Sequence, residues 1–236
     1  MLTINQFKMK KLLYLFLLLI SLSISAQNAF SAFEIQVERG QEVAVAKLVD
    51  DYMKDAKFKD GSGFNLERLR QGSGDFTHRF VFYGPIGNRG RVNSDVNEFE
   101  RDAFWTKVRQ YIKKSRGYSG RVIDWKQGND KQNNFLVYYV QVKDPASYAK
   151  AHKTILKKLG DTEFKNRTVA FGTFDVGRPE NATHWIGLSG EGTDDLLMMH
   201  KNLQEKYVKE VTEYFSNRGE VIDLKDVRIE GVAQYN

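Results

Sequence analysis

The stretch Thr77-His78-Arg79-Phe80-Val81-Phe82-Tyr83-Gly84 returns as Thr183-His184-Trp185-Ile186-Gly187-Leu188-Ser189-Gly190. Upstream of it, Ile35-Gln36-Val37 returns as Val140-Gln141-Val142. Downstream, Arg121-Val122-Ile123-Asp124-Trp125-Lys126 returns as Glu220-Val221-Ile222-Asp223-Leu224-Lys225. Three echoes in one order, at offsets of 106, 105 and 99 residues, point to a tandem duplication.

Each half reads as strand, helix, two strands, helix, strand. In the first half Phe33, Ile35 and Val37 alternate with Glu34, Gln36 and Glu38, the period of a strand with one buried face. A helix is expected over 41–56, strands over 64–70 and 76–83 around a Gln71-Gly72-Ser73-Gly74 turn, and a helix over 98–115 closed by Gly117. Residues 121–126 are expected to end the half. In the second half a strand over 135–142 leads to Asp144-Pro145, a helix-capping residue followed by a proline suited to the first turn. Strands over 168–175 and 183–189, one long helix over 194–217 and a strand over 220–230 complete the reading. The expected units are a first repeat over 33–130 and a second over 132–236.

This order is that of the ferredoxin-like split unit, an α+β arrangement with an antiparallel sheet and both helices on one face. Two copies leave two bare sheet faces, which bury each other if the sheets pack face to face. The element order and repeat resemble the dimeric α/β-barrel superfamily with the dimer fused into one chain, a resemblance of topology without a specific family motif. Small monooxygenases and heme enzymes of the chlorite dismutase and dye-decolorising types belong to that superfamily, so the resemblance implies no single reaction.

Residues 1–26 read as a signal peptide. Lys8, Lys10 and Lys11 precede an apolar run from Leu12 to Ile24, and Ser25-Ala26 supplies small residues at a cleavage point. The run is shorter than the roughly 20 residues of a spanning helix. Cleavage is expected after Ala26, with Ala29 the alternative, and Met9 is an alternative start. The leader resembles bacterial ones and implies a secreted or periplasmic protein, with no stable membrane insertion after cleavage.

Removing the leader changes the charge argument. The chain carries 36 basic and 30 acidic residues, and three of those lysines lie in the leader, leaving 33 against 30. A nearly balanced, mixed surface gives no support for a nucleic-acid partner. The chain has no cysteine, which excludes disulfides, thiol nucleophiles, cysteine-zinc sites and lipoprotein anchoring. Its oligomeric state is not set by sequence, and a monomer is compatible with it.

No catalytic constellation stands out. Gly61-Ser62-Gly63 and Gly72-Ser73-Gly74 lack the context and lysine of a phosphate loop, and Ser189 lacks nucleophile-elbow spacing. His152 and His200 lack ligand spacing, so no metal and no particular cofactor is indicated. His78 and His184 occupy matching places with the more apolar side of their strands, which is expected to face the helices. Their bland role is to satisfy neighbouring polar groups; the sharper one is a symmetry-related ligand or proton-transfer pair. The opposite side carries Arg79 and Tyr83 in one half and Trp185 and Gly187 in the other, a mixture suited to an aromatic-lined pocket with few polar anchors. His78, His184, Arg79, Tyr83 and Trp185 are therefore the candidate ligand-binding residues. The reading is an exported protein binding a small apolar or aromatic ligand between its sheets. The alternatives are an oxygenase or heme-binding enzyme of the barrel superfamily, and a non-catalytic structural or interaction protein.

Overall fold

The computed structural model describes residues 27–129 and 131–236, so the expected leader lies outside the described residues. Eight strands carry the architecture: β1 (Asn28–Val37), β2 (Gly63–Leu69), β3 (His78–Pro85), β4 (Ile112–Lys126), β5 (Asn134–Val142), β6 (Val169–Val176), β7 (His184–Gly190) and β8 (Val221–Tyr235). Five helices accompany them: α1 (Glu42–Met53), α2 (Glu98–Arg109), α3 (Pro145–Leu159), α4 (Thr193–Glu205) and α5 (Val208–Asn217).

The helices form where the spacing and caps call for them. Val45, Val49 and Met53 recur every fourth residue and bury one stripe of α1. Asn97 caps α2 by accepting from the Phe99 and Glu100 amides. Asp144 accepts from the Ala146 and Ser147 amides at 3.1 Å and starts α3.

The strands close into one antiparallel barrel in the order β4-β1-β3-β2-β8-β5-β7-β6, and β6 returns to β4. The two four-stranded halves are therefore not separate sheets stacked face to face. They are joined edge to edge by β2 with β8 and by β4 with β6. Closure satisfies the edge amides and carbonyls that two open sheets would leave bare. The helices lie outside: Ile35, Phe64, Leu66 and Phe80 pack against Val45, Val49, Phe104 and Val108. Inside, Ala32, Tyr118, Val137, Tyr139, Phe174, Val227 and Ile229 form a separate core.

The Thr-His echo is a strand-entry lock used in both halves. The Thr77 hydroxyl accepts from the Val37 amide at 3.0 Å, and the Thr183 hydroxyl from the Val142 amide at 2.9 Å. Each threonine amide also bonds a β1 or β5 carbonyl, Ile35 and Val140, at 2.9 Å. These contacts fix the register of β3 on β1 and of β7 on β5.

The downstream echo is corrected by the structure. β4 and β8 each run 15 residues and share the same burial pattern from end to end, with Ile112 matching Val221. Ile112 lies opposite Val37 and Val221 opposite Val142, so the structural offset is that of the strand starts. Asp124 thus sits near the end of β4 and Asp223 near the start of β8, and they are not equivalent. The expected helix over 98–115 ends at Arg109, and Gly117 is a strand residue opposite Phe33 rather than a helix cap. Tyr111 and Ile112 fit helical spacing in sequence, but hydrogen bonding to β1 claims the segment. The expected helix over 194–217 is two helices, because the Lys206 and Tyr207 amides both turn back onto the Asn202 carbonyl.

Candidate functional site

The barrel interior is built in rows of residues that stand opposite one another on neighbouring strands. One row crosses the first half as Glu67 on β2, Arg79 on β3, Glu34 on β1 and Arg116 on β4. Its counterpart in the second half is Gly172 on β6, Trp185 on β7, Tyr139 on β5 and Lys225 on β8. One side of the floor is thus an alternating ladder of charge and the other is largely aromatic.

The ladder is closed on itself. Arg79 donates from Nε to Glu67 Oε2 at 2.6 Å and from Nη1 to the Tyr118 hydroxyl at 3.3 Å. The Tyr118 and Tyr139 hydroxyls each donate to Glu34 Oε1 at 3.0 Å and lie 3.0 Å from each other. Arg116 donates from Nε to Glu34 Oε2 at 2.8 Å, and from Nη1 to Glu180 at 2.9 Å. Glu180 and Asn181 hold positive φ angles of 53° and 62° in the connection that brings this carboxylate onto Arg116 and Lys225. Such backbone is costly for residues with a side chain, and the two ion pairs help hold it.

Electrostatics follow from burial and pairing. Burial pushes the Tyr118 hydroxyl up to about 12, against the pull of Arg79. Tyr139 is raised as well, again chiefly by burial. Burial is the strongest single influence on Arg79 and opposes its charge, but the Glu67 carboxylate and the Tyr118 and Tyr139 hydroxyls together raise the guanidinium above its ordinary value. Two acids and two bases alternate along the row, so it carries no net charge.

The next row toward the other end is Asn65, Val81, Ala32 and Tyr118 in the first half, and Ala170, Gly187, Val137 and Val227 in the second. The second-half residues are small, and all four are buried. A Cβ on Gly187 would meet one atom within 4 Å, Trp185 Cζ3 at 3.7 Å. At Gly172 the indole of Trp185 lies over the backbone, and a Cβ would come within 2.6 Å of it. Phe30 crosses Trp185 edge-on at 5.6 Å. Val81, Phe30, Phe135 and Trp185 remain half-buried although they pack on the inner core, and the Arg79 side chain is 13% exposed.

The five residues singled out from sequence fall on two faces. Arg79 and Trp185 lie in the interior rows, and Tyr83 follows them by strand alternation, its hydroxyl accepting from Gln234 at 3.2 Å. His78 and His184 point out toward the helices. Their Nδ1 atoms lie 3.0 and 2.9 Å from the Thr77 and Thr183 hydroxyls. Burial lowers His78 to about 4 and lowers His184 too, so both rings are neutral. Sequence reading missed Glu34, Glu67, Tyr118 and Tyr139. Glu34 was placed on the solvent side because strand alternation assumes one buried face, whereas closure of the barrel buries both.

His184 and His152 pack among aromatic rings, and both ring nitrogens of the buried His152 lack a hydrogen-bond partner. His184 stacks on Phe171 at 5.5 Å and His152 lies 5.1 Å from the same ring, with Tyr148 6.3 Å from His184. Phe171 thus packs against both imidazoles. His152 is 3.6 Å from Asp124, and His200 Nε2 is 2.7 Å from the Tyr138 hydroxyl.

No protein-family model matches the chain, and no curated protein matches it. Solved structures do. A candidate monooxygenase from Lactobacillus acidophilus aligns with a TM-score of 0.60 at 11% identity, covering 89% of this chain and 96% of its own. A candidate monooxygenase from Fusobacterium nucleatum gives 0.58 at 16% identity, with 90% and 95% covered. A candidate chlorite dismutase gives 0.51 at 11% identity, with 87% and 95% covered. At these identities the likeness is one of fold and carries no reaction with it. The chain has the fold of the dimeric α/β-barrel superfamily, with all eight strands supplied by one polypeptide.

Proposed function

We propose that this is an exported protein, a tandem pair of ferredoxin-like units, that binds a small apolar or aromatic ligand inside its barrel. The observation that supports the reading is the aromatic interior, where Trp185, Phe30, Val81 and Phe135 pack on the inner core and the buried Trp185 Nε1 has no hydrogen-bond partner. A few polar groups around an aromatic concavity are the usual makings of a small-molecule site. His78 and His184 serve as structural partners of Thr77 and Thr183 on this reading, and Arg79, Tyr83 and Trp185 face the ligand. The enzymatic alternative, oxygen chemistry of the kind named for the solved neighbours, would use the same seat. It is favoured by the paired phenols of Tyr118 and Tyr139 at its floor.

Native mass spectrometry of the protein purified from its own host tests export and binding together. The expected mass begins at Gln27, after cleavage at Ala26, with a second population heavier by one small molecule. An intact leader would contradict export. A single ligand-free mass that also stays unshifted with a panel of bicyclic aromatics would contradict binding.

A further inference from the structure

The two halves of the barrel meet along two seams, β2 with β8 and β4 with β6. We propose that His152 is a proton-sensitive latch on the second of these: when its ring takes up a proton, α3 and β6 of the second half loosen from β4 of the first. The latch needs no ligand and does not depend on one.

Three observations converge on this ring. First, it is a polar group enclosed without partners. His152 is 2% exposed on α3, and neither ring nitrogen has a hydrogen-bond partner. Buried polar groups are ordinarily bonded, and an unbonded one costs stability. Second, the ring lies across the seam. Its Nδ1 is 3.6 Å from Asp124 Oδ2 on β4, beyond hydrogen-bond reach but within that of an ion pair. The ring also packs 5.1 Å from Phe171 on β6, and Asp124 and Phe171 stand opposite each other in the pairing of β4 with β6. One helix side chain thus covers a cross-strand pair contributed by both halves. Third, the seam is already irregular there. The register of β4 on β6 shifts twice, between Ser119 and Gly120 and between Val122 and Asp124, whereas that of β2 on β8 shifts once. The second shift directly precedes the Asp124–Phe171 pair, and such irregularities interrupt the ladder of backbone bonds.

The titratable surroundings of the ring are few. β4 presents Asp124 and, two residues on, Lys126, whose ammonium donates to the Phe164 and Lys165 carbonyls at 2.7 and 3.0 Å. Tyr148 lies one turn back on α3 and accepts from the Tyr214 hydroxyl of α5 at 3.0 Å. His184 of β7 stacks on Phe171 at 5.5 Å. β5 brings Val140, Val142 and Tyr138, whose hydroxyl is 2.7 Å from His200 Nε2. Burial holds the Tyr148 and Tyr214 phenols above their ordinary value and the His184 ring below its own, so all three are neutral. Among the described residues Asp124 is the one carboxylate within ion-pair distance of His152.

The direction of the response follows from linkage. Burial lowers the His152 imidazole to about 4 against the pull of Asp124, while a ring freed from the seam has its ordinary value of 6.5. The opened form therefore binds the proton first. The closed seam has its full stability above pH 6.5 and loses it as the pH falls toward about 4. At about pH 5 one such group favours opening by about thirtyfold.

The test is amide hydrogen exchange of the whole protein, read peptide by peptide by mass spectrometry at about pH 7.5 and about pH 5 and corrected for intrinsic exchange rates. Residues 119–126 and 169–176 should lose protection by about thirtyfold at the lower pH, and those of the other seam, 64–69 and 229–235, by much less. In His152→Leu, which has nothing to titrate at this place, the loss at the β4–β6 seam should shrink to that of the other seam. Equal loss at both seams in the wild type, or an unaltered loss in His152→Leu, would overturn the proposal. If the variant does not fold, the wild-type ring decides, by ¹³C NMR of labelled histidines with the His152 signal identified through its contact with Phe171. A midpoint well below 6.5 is the expected result, and one at 6.5 or above would overturn the latch.

Discussion

Expressed alone, residues 132–236 will not give a folded monomer; they will dimerise through their free edges or precipitate. In the whole chain β8 is paired along its second half with β2, from Phe64 opposite Tyr235 to Leu69 opposite Ile229. β6 is paired with β4 from Val176 opposite Ser119 to Val169 opposite Lys126. Cutting out the first half bares both of these edges at once. It also bares the inner face, where Val137, Tyr139, Phe174, Val227 and Ile229 are almost completely buried. That apolar surface exceeds the few hundred Å² that soluble monomers usually expose, and unpaired edges are templates for self-association. A second copy can supply equivalent edges and close an eight-stranded barrel, so a homodimer is the expected soluble form. Light scattering coupled to size-exclusion chromatography reads the result directly. A monodisperse, cooperatively unfolding monomer would show that the barrel is not the folding unit.

Replacing Glu34 with Ala will be among the most destabilising single changes in the chain, by about 3–5 kcal/mol, the range for removing one partner of a buried ion pair. Glu34 is 1% exposed and accepts three hydrogen bonds, from two phenols and the Arg116 Nε, with Arg116 Nη2 2.7 Å away in the ion pair. Removing the carboxylate takes the acceptor from both phenols at once and leaves Arg116 with Glu180 as its remaining carboxylate. Glu34→Gln retains the shape and one acceptor oxygen, and its cost should be clearly smaller. Tyr139→Phe deletes a single hydroxyl from the network and should cost about 0.5–1.5 kcal/mol. Urea unfolding followed by tryptophan emission ranks the three. Since domains are typically stable by only about 5–15 kcal/mol, Glu34→Ala should bring the protein near its limit. A loss of less than about 1 kcal/mol for Glu34→Ala would mean that the ladder does not hold the interior together.

Much of the fold is legible in the sequence because its signals are local. Asp144-Pro145 announces a helix start, alternation marks β1, β3, β5 and β7, and the Thr-His echo marks equivalent strand entries that the structure aligns through the same threonine bonds. What the sequence hides depends on closure. Ile112 to Ser115 have no strand signature of their own and become strand because β1 offers them a partner. The downstream echo matches in letters but joins the end of β4 to the start of β8, and only the cross-strand pairing reveals the mismatch.

The site divides the same way. Arg79, Tyr83 and Trp185 were legible as a polar-aromatic strand face, since alternation separates them from His78 and His184. The carboxylates were not, because an acidic residue in a strand is ordinarily read as solvent-facing. A signal was nonetheless present: Glu34, Glu67, Arg79 and Arg116 share one parity with apolar neighbours such as Ala32, Val81 and Tyr118, so a buried ladder of balanced charge could have been sought there. The lie of the Trp185 indole was not legible, because it is settled by the ring's packing over Gly172 on the neighbouring strand.

The most direct measurement of ligand binding in the barrel is the indole N–H resonance of Trp185 in an amide-selective NMR spectrum of the ¹⁵N-labelled protein. The chain has three tryptophans, Trp105, Trp125 and Trp185, so each indole can be assigned by single replacement with Phe. Trp125 Nε1 is bonded to Gln127 at 2.9 Å on the surface, whereas Trp185 Nε1 is buried in the barrel without a partner. On titration with 2-acetylnaphthalene the Trp185 resonance is predicted to move in proportion to occupancy while those of Trp105 and Trp125 stay in place. Saturable binding that moves Trp105 or Trp125 and leaves Trp185 unchanged would place the ligand outside the barrel and contradict the account.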